Sequence, residues 1–314
     1  MGTISGFVNF DPEREIPSLV GKVIFVTGGT AGLGRESVEA LAKHDPTHIY
    51  FTGRNAQAGE SLIAEVKKTN PNVGMTFLKA DMTSLSSVKG ACDKFSHDRL
   101  DLLMCNAGIM DTPPSLSEDG FEIHFAVNHL AHGMIIQKLL PIMARTAELP
   151  GSDVRLVSLT STGWRGHPKN GIAFSTLKTT QEDLTMLGFN LRYGQSKLAN
   201  ILYAAEVARR YPSITAVSVH PGVVSTGLVN DLPLLRRAFI YSAIWLMGGG
   251  VVEPKKGRLS QLWVAAGAKK ELVNGGYYLP IGVLSNNKLD KYAKSEELAK
   301  ELWSYTDDVL AKVA

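Results

Sequence analysis

Short apolar runs rich in β-branched and aromatic residues alternate along this chain with amphipathic stretches. That alternation is the pattern of βαβ units feeding a mostly parallel sheet. Seven runs read as strands, at residues 22–27, 48–53, 76–80, 100–105, 154–159, 215–219 and 276–279. Apolar residues at helical spacing fill the intervals at 33–43, 59–68, 87–95, 122–144, 195–209 and 259–266. Each strand is apolar on both faces, which requires helices on both sides of the sheet. The expected fold is α/β: a doubly wound, Rossmann-type three-layer sandwich with a mostly parallel seven-stranded sheet. After an N-terminal extension over 1–20, residues 21–314 read as a single domain, because no linker, repeat or low-complexity tract interrupts the pattern.

Two stretches do not fit the alternation. Residues 162–192 are too long for an ordinary loop and hold Gly163, Gly166, Pro168, Gly171 and Gly188, so they read as an insertion near the site. Residues 223–257 contain the longest uncharged run, 238–252, and read as a substrate lid. Both follow the carboxyl end of a strand, where open α/β sheets bind ligands. At fifteen residues the run is shorter than the ~20 needed to span a bilayer as a helix. Flanking Arg236, Arg237, Lys255 and Lys256 leave a surface contact with a membrane open, but the wall of an apolar cleft is the preferred reading.

Charge and cysteine content exclude other classes. With 33 Lys and Arg against 30 Asp and Glu, there is no clustered basic excess of the kind nucleic acid requires. Cys92 and Cys105 both fall in apolar stretches and read as reduced core residues. The first twenty residues, with Asp11, Glu13, Arg14 and Glu15, lack the apolar run of a signal peptide. A soluble, cytoplasmic protein is expected. His124, His129 and His132 share one predicted helix with only Glu122 as a nearby acid, so no metal is expected.

The chemistry lies in two segments. Thr27-Gly28-Gly29-Thr30-Ala31-Gly32-Leu33-Gly34 directly follows the first strand and opens a helix. Glycines there let the backbone approach a phosphate, and the helix N-terminus favours an anion. The second strand ends Thr52-Gly53-Arg54, with no acid to hold a ribose 2′-hydroxyl, so NADP(H) is the expected cofactor. Arg54, and with it Arg35, is the candidate partner of the 2′-phosphate. Further on, Tyr193 and Lys197 stand four apart on one helical face. An ammonium near a phenol lowers a pKa that starts near ~10, as an acid/base tyrosine requires.

Together these segments resemble the short-chain dehydrogenase/reductase family, from about Gly21 to Pro280. Thr27-Gly28-x-x-x-Gly32-x-Gly34 is similar to its cofactor turn, Asn106-Ala107-Gly108 to its N-A-G motif, and Tyr193-x-x-x-Lys197 to its catalytic pair. The segment from Tyr193 to Asn200 is closest to the branch of retinol dehydrogenases and related fungal reductases. The resemblance implies Ser161 as the residue bonding the substrate carbonyl, although Ser158, Thr160 and Thr162 stand beside it. It implies Asn128 as the holder of a proton-relay water, Asp81 and Met82 at the adenine, and Val224 and Thr226 at the nicotinamide carboxamide. Gly28, Thr30, Gly32, Leu33, Gly34, Arg54, Asn106, Ala107 and Gly108 complete the expected cofactor site. It further implies hydride transfer to or from a carbonyl or secondary alcohol, and a homodimer paired through the Tyr193 helix. Lid residues Phe239, Tyr241 and Trp245 point to a hydrophobic small-molecule substrate. Two rival readings are an NAD-dependent alcohol dehydrogenase and a non-catalytic NADP(H)-binding regulatory protein.

Overall fold

A computed structural model describes residues 8–186, 189–224, 251–252, 254–267 and 269–313. From the N-terminus the chain forms α1 (Pro12–Glu15), β1 (Val23–Val26), α2 (Gly32–Ala42), β2 (His48–Gly53), α3 (Ala56–Thr69), β3 (Gly74–Lys79), α4 (Leu85–Cys92) and β4 (Leu102–Cys105). There follow α5 (Ile123–Phe125), a π-helical turn (Ala126–Leu130), α6 (Ala131–Ala147), β5 (Arg155–Leu159), the short pair β6 (Thr185–Met186) and β7 (Phe189–Asn190), α7 (Leu191–Arg210) and β8 (Thr215–Val219). The last part is β9 (Val223–Val224), β10 (Val251–Val252), α8 (Pro254–Ala266), β11 (Tyr277–Leu279), β12 (Val283–Leu284) and α9 (Glu296–Leu310).

The main sheet has eight strands in the order β12-β11-β8-β5-β4-β1-β2-β3, parallel except for the β11/β12 edge. This is the Rossmann-like α/β sandwich, with one strand more than the seven expected. The addition, β12, is two residues long, too short to leave an alternation in the sequence. Because β1 pairs with both β2 and β4, the strand order reverses there, and a crevice opens above the carboxyl ends of β1 and β4. Alternate side chains of each strand enter opposite layers. Phe25, Tyr50 and Leu103 pack with the α4, α6 and α7 side. Ile24, Val26, Ile49 and Phe51 pack with α2, α3 and α8.

Several elements depart from the sequence pattern. The predicted helix over 122–144 is interrupted by the π turn, which shifts the phase of the apolar stripe without changing its composition. Helix α7 starts at Leu191, four residues earlier than the periodicity indicates, with Gly194 in its first turn. That glycine is required by packing: a Cβ there would lie 2.3 Å from the Gly166 carbonyl oxygen. Helix α9 was not anticipated at all. Its signal was nevertheless present, since Ser295 caps it by accepting the Leu298 N–H (3.1 Å) and Glu296 and Glu297 occupy the first turn. The extension before residue 21 packs on the domain through buried Phe10 and Ile16.

Within 162–192 the chain makes a 3-10 turn (Thr162–Gly166), a second (Phe174–Thr176) and the β6/β7 pair, anchored by buried Trp164, Ile172 and Leu177. Beyond β8, β9 pairs in parallel with β10. Most of the expected lid, including residues 238–250 of the apolar run with Phe239, Tyr241 and Trp245, and also Thr226, lies outside the described residues. Cys92 and Cys105 are free and buried, and burial raises both thiol pKa values, that of Cys92 to about 12. Among the described residues no helix is long and apolar enough to cross a membrane.

Candidate active site

The turn between β1 and α2 is built on glycines for steric reasons. Gly28 and Gly32 adopt left-handed φ values of 64° and 52°, and a Cβ on Gly34 would lie 2.2 Å from the Gly28 carbonyl oxygen. Ala31 at the N-cap of α2 offers no side-chain acceptor, so the first-turn N–H groups remain directed at the crevice. A dinucleotide phosphate fits that chemistry. The Thr27 hydroxyl accepts N–H bonds from Asn106 (2.8 Å) and Ala107 (2.9 Å), and the Asn106 amide donates to the Thr27 carbonyl (2.9 Å). These bonds lock the end of β4 to the end of β1.

The remaining expected cofactor residues ring this turn. Thr30 lies over Gly53, where an added Cβ would meet its Oγ1 at 2.6 Å. Arg54 is exposed just beyond. Arg35 is differently placed: Glu39 (2.9 Å) and Glu65 both bind its guanidinium, so it faces α3 and is compensated there. Asp81 accepts the Thr83 N–H (2.9 Å) and hydroxyl (2.8 Å), which orders the turn after β3, and Met82 is buried behind it. Leu33 and buried Val224 close over Gly257 of α8. Gly108 is pinned under Asn128, whose Oδ1 would be 2.8 Å from a Cβ at that position.

The catalytic candidates converge at the carboxyl ends of β4 and β5. Tyr193 is hydrogen-bonded to Ser161, whose Oγ also accepts the Gly163 N–H (3.1 Å). Two of the neighbouring hydroxyls are otherwise engaged or buried. Thr160 donates to the Lys197 carbonyl (2.7 Å), and Ser158 lies inside β5. Tertiary packing therefore brings Ser161, of the four candidates, to the phenol. Lys197 donates to the Leu159 carbonyl (3.2 Å), which also accepts from Asn200 (2.9 Å). Asn128 sits in the π turn, accepting from the Ile109 N–H (2.8 Å) and donating to the Ile109 carbonyl (3.0 Å) and to Ser196 Oγ (2.9 Å). Ser196 and Asn200 have no assigned role in the sequence reading. Their supporting role depends on which strand α7 lies against.

The electrostatics depart from the expected pattern. Lys197 Nζ stands 5.8 Å from the centre of the Tyr193 ring. Burial raises the Tyr193 pKa, and the bond to Ser161 offsets this only in part. The same burial lowers Lys197 to about 8. In the protein alone, therefore, desolvation of the phenolate outweighs the ammonium. Two of the three histidines make side-chain bonds away from the glycine turn. His124 bonds Glu122 (2.9 Å) and meets the Tyr193 ring edge-on at 6.1 Å, while His129 bonds Thr306 of α9 (2.9 Å).

Comparison with known proteins points to one family. The family model described as short chain dehydrogenase matches residues 22–234. A short-chain dehydrogenase/reductase of Aspergillus calidoustus is 33% identical, over 95% of this chain and 96% of its own. Retinol dehydrogenase 11 of Homo sapiens is 31% identical, over 93% of this chain and 86% of its own. The crystal structure of a protein from Mycobacterium paratuberculosis superposes with a TM-score of 0.69 at 24% identity, covering 95% of this chain and 97% of that one. Crevice, glycine turn and Tyr193/Lys197 helix thus come together in an oxidoreductase, and the chain belongs to the short-chain dehydrogenase family, in its retinol-dehydrogenase-like and fungal branch.

Proposed function

We propose that this chain is an NADP(H)-dependent reductase of hydrophobic carbonyl compounds, running reversibly as an alcohol dehydrogenase. The observation that carries the reading is the cluster of Ser161, Tyr193, Lys197 and Asn128 beside the glycine turn, because binding alone does not ask for a desolvated phenol bonded to a serine next to an ammonium. That argues against a purely regulatory binder of the cofactor.

The cofactor, when bound, supplies or accepts the hydride. Gly28, Gly32, Leu33 and Gly34 hold its phosphates, Arg54 the 2′-phosphate, and Asn106, Ala107 and Val224 the inner wall. Tyr193 donates its proton to the carbonyl oxygen as that oxygen gains charge, and Ser161 donates a hydrogen bond to the same atom. A phenol kept protonated by burial suits this direction. Lys197, aimed by Leu159 and Asn200, returns the proton to Tyr193 and regains its own from solvent, and Asn128 fixes the turn behind it. The substrate class rests on the apolar lid composition and on the names of the retinol dehydrogenase relatives. A cytoplasmic setting fits the two free thiols.

The cofactor reading is tested by fluorescence titration with NADPH and NADH. Arg54→Glu is expected to weaken NADPH binding by about 10-fold or more, since it replaces a charge-assisted contact by repulsion. Equal binding of NADH, with no effect of the substitution, would favour the NAD-dependent alcohol dehydrogenase instead.

Pairing of two copies through α7 meets a covered face. Tyr203 stacks on Trp303 of α9 at 4.8 Å, and Arg210 lies over the same ring at 4.6 Å. With the chain's own C-terminal helix on that face, light scattering of the full chain is expected to return the 34.0 kDa monomer, and twice that mass would overturn this.

A further inference from the structure

Between the cofactor turn and the π turn lies a buried histidine that the mechanism above does not use. His132 Nε2 is 2.9 Å from the Thr27 hydroxyl, and its Nδ1 is 2.9 Å from the Asn128 carbonyl oxygen. The roles of the atoms follow from the neighbours. Thr27 Oγ1 already accepts two N–H bonds, from Asn106 and Ala107, so its own proton goes to Nε2 at 2.9 Å in preference to the Met104 carbonyl at 3.5 Å. The ring proton is then on Nδ1, donated to Asn128. The ring is 3% exposed, and burial lowers its pKa to about 4, which keeps it in this neutral form.

A continuous line of bonds results, from Thr27 at the head of the glycine turn through His132 to Asn128. It continues from the Asn128 amide to Ser196, one residue before Lys197. A π turn is an uncommon local conformation that persists where its surroundings hold it. Here His132 holds its carbonyl from one side, and Thr306 holds His129 of the same turn from the other.

We infer that His132 is a positioning residue coupling occupancy of the cofactor turn to the order of the Asn128 turn. The inference rests on the proposed NADP(H) reading. Filling the turn tightens Thr27, and His132 passes that restraint to the backbone that supports Asn128 and Lys197.

Hydrogen exchange with peptide resolution, with and without saturating NADP⁺, tests this on the full chain. In the wild type, NADP⁺ is expected to slow exchange at 27–35 and also at 123–131, the latter by at least about fivefold. His132→Asn places an amide near the Nδ1 position and gives up Thr27. His132→Gln places one near Nε2 and gives up Asn128. Each breaks the line at one link, so each is expected to keep the slowing at 27–35 and reduce that at 123–131 below about twofold. A histidine that only filled space would change exchange equally with and without NADP⁺. Slowing at 27–35 with none at 123–131 in the wild type, or transmission by both variants like the wild type, overturns the inference alone. No slowing at 27–35 in the wild type overturns the cofactor reading and the inference with it.

Discussion

Tyr193→Phe is expected to lower the NADPH-dependent reduction of an apolar ketone by about 10²–10⁴-fold while leaving NADPH binding within about twofold, because it removes the reacting hydroxyl and keeps the packed ring. The loss belongs in kcat, since the phenol hydroxyl acts on charge that develops only during the reaction. Loss of NADPH binding in parallel would mean that the tyrosine is structural. The pH dependence supplies a second readout of the same cluster. Tyr193 is raised by burial, so it stays protonated through neutral pH, whereas Lys197 titrates at about 8. Proton return requires the ammonium. Reduction should be level below pH 8 and fall as pH rises above it, by about tenfold per unit. A rate unchanged up to pH 10 would remove Lys197 from the proton route.

Acid is expected to destabilise the fold steeply. Burial lowers His129 to about 3 and both His132 and His220 to about 4, whereas in the unfolded chain they titrate near ~6.5. Between those values the unfolded chain binds protons that the folded chain refuses. Stability is therefore full above pH 6.5 and is lost as pH falls toward 4. Each histidine contributes a slope approaching ~1.4 kcal/mol per pH unit. Urea unfolding at pH 7, 6 and 5 should show the midpoint dropping at each step, and His220→Asn should flatten the dependence by about one histidine's share. A midpoint constant across that range would mean that these rings are hydrated in the native state. Above pH 8 the sign is the same for Lys197: its depressed pKa makes the protein gain stability as pH rises toward the unfolded value.

How much was legible in the residues varies by element. The strands over 48–53 and 215–219 match β2 and β8 at both ends, because an apolar run bounded by turn residues is a local property. The glycine turn was equally plain, since Gly28 and Gly34 answer to contacts within eight residues of one another and to the neighbouring β4 end. The choice among Ser158, Thr160, Ser161 and Thr162 was not legible, because it depends on how the 3-10 turn presents β5 to α7. Nor was the direction of the Tyr193 pKa. Spacing places Lys197 on the same face, but burial decides which effect wins. Local sequence leaves Arg35 a cation free for a phosphate, whereas Glu65, thirty residues away, binds it in the fold.

By itself the sequence determined the layer architecture, the family and the identity of the chemical groups, since each is carried by short-range patterning: strand and helix periods, a glycine turn, a Tyr and Lys one helical turn apart. The tertiary structure alone decided what those groups do to one another. It set which hydroxyl meets the phenol, which carboxylates neutralise Arg35, that α9 covers α7, and that His132 links Thr27 to Asn128 across 105 and 4 residues of chain. The physical reason is that desolvation and hydrogen-bond partnership depend on contacts between segments distant in sequence, and no local pattern encodes them.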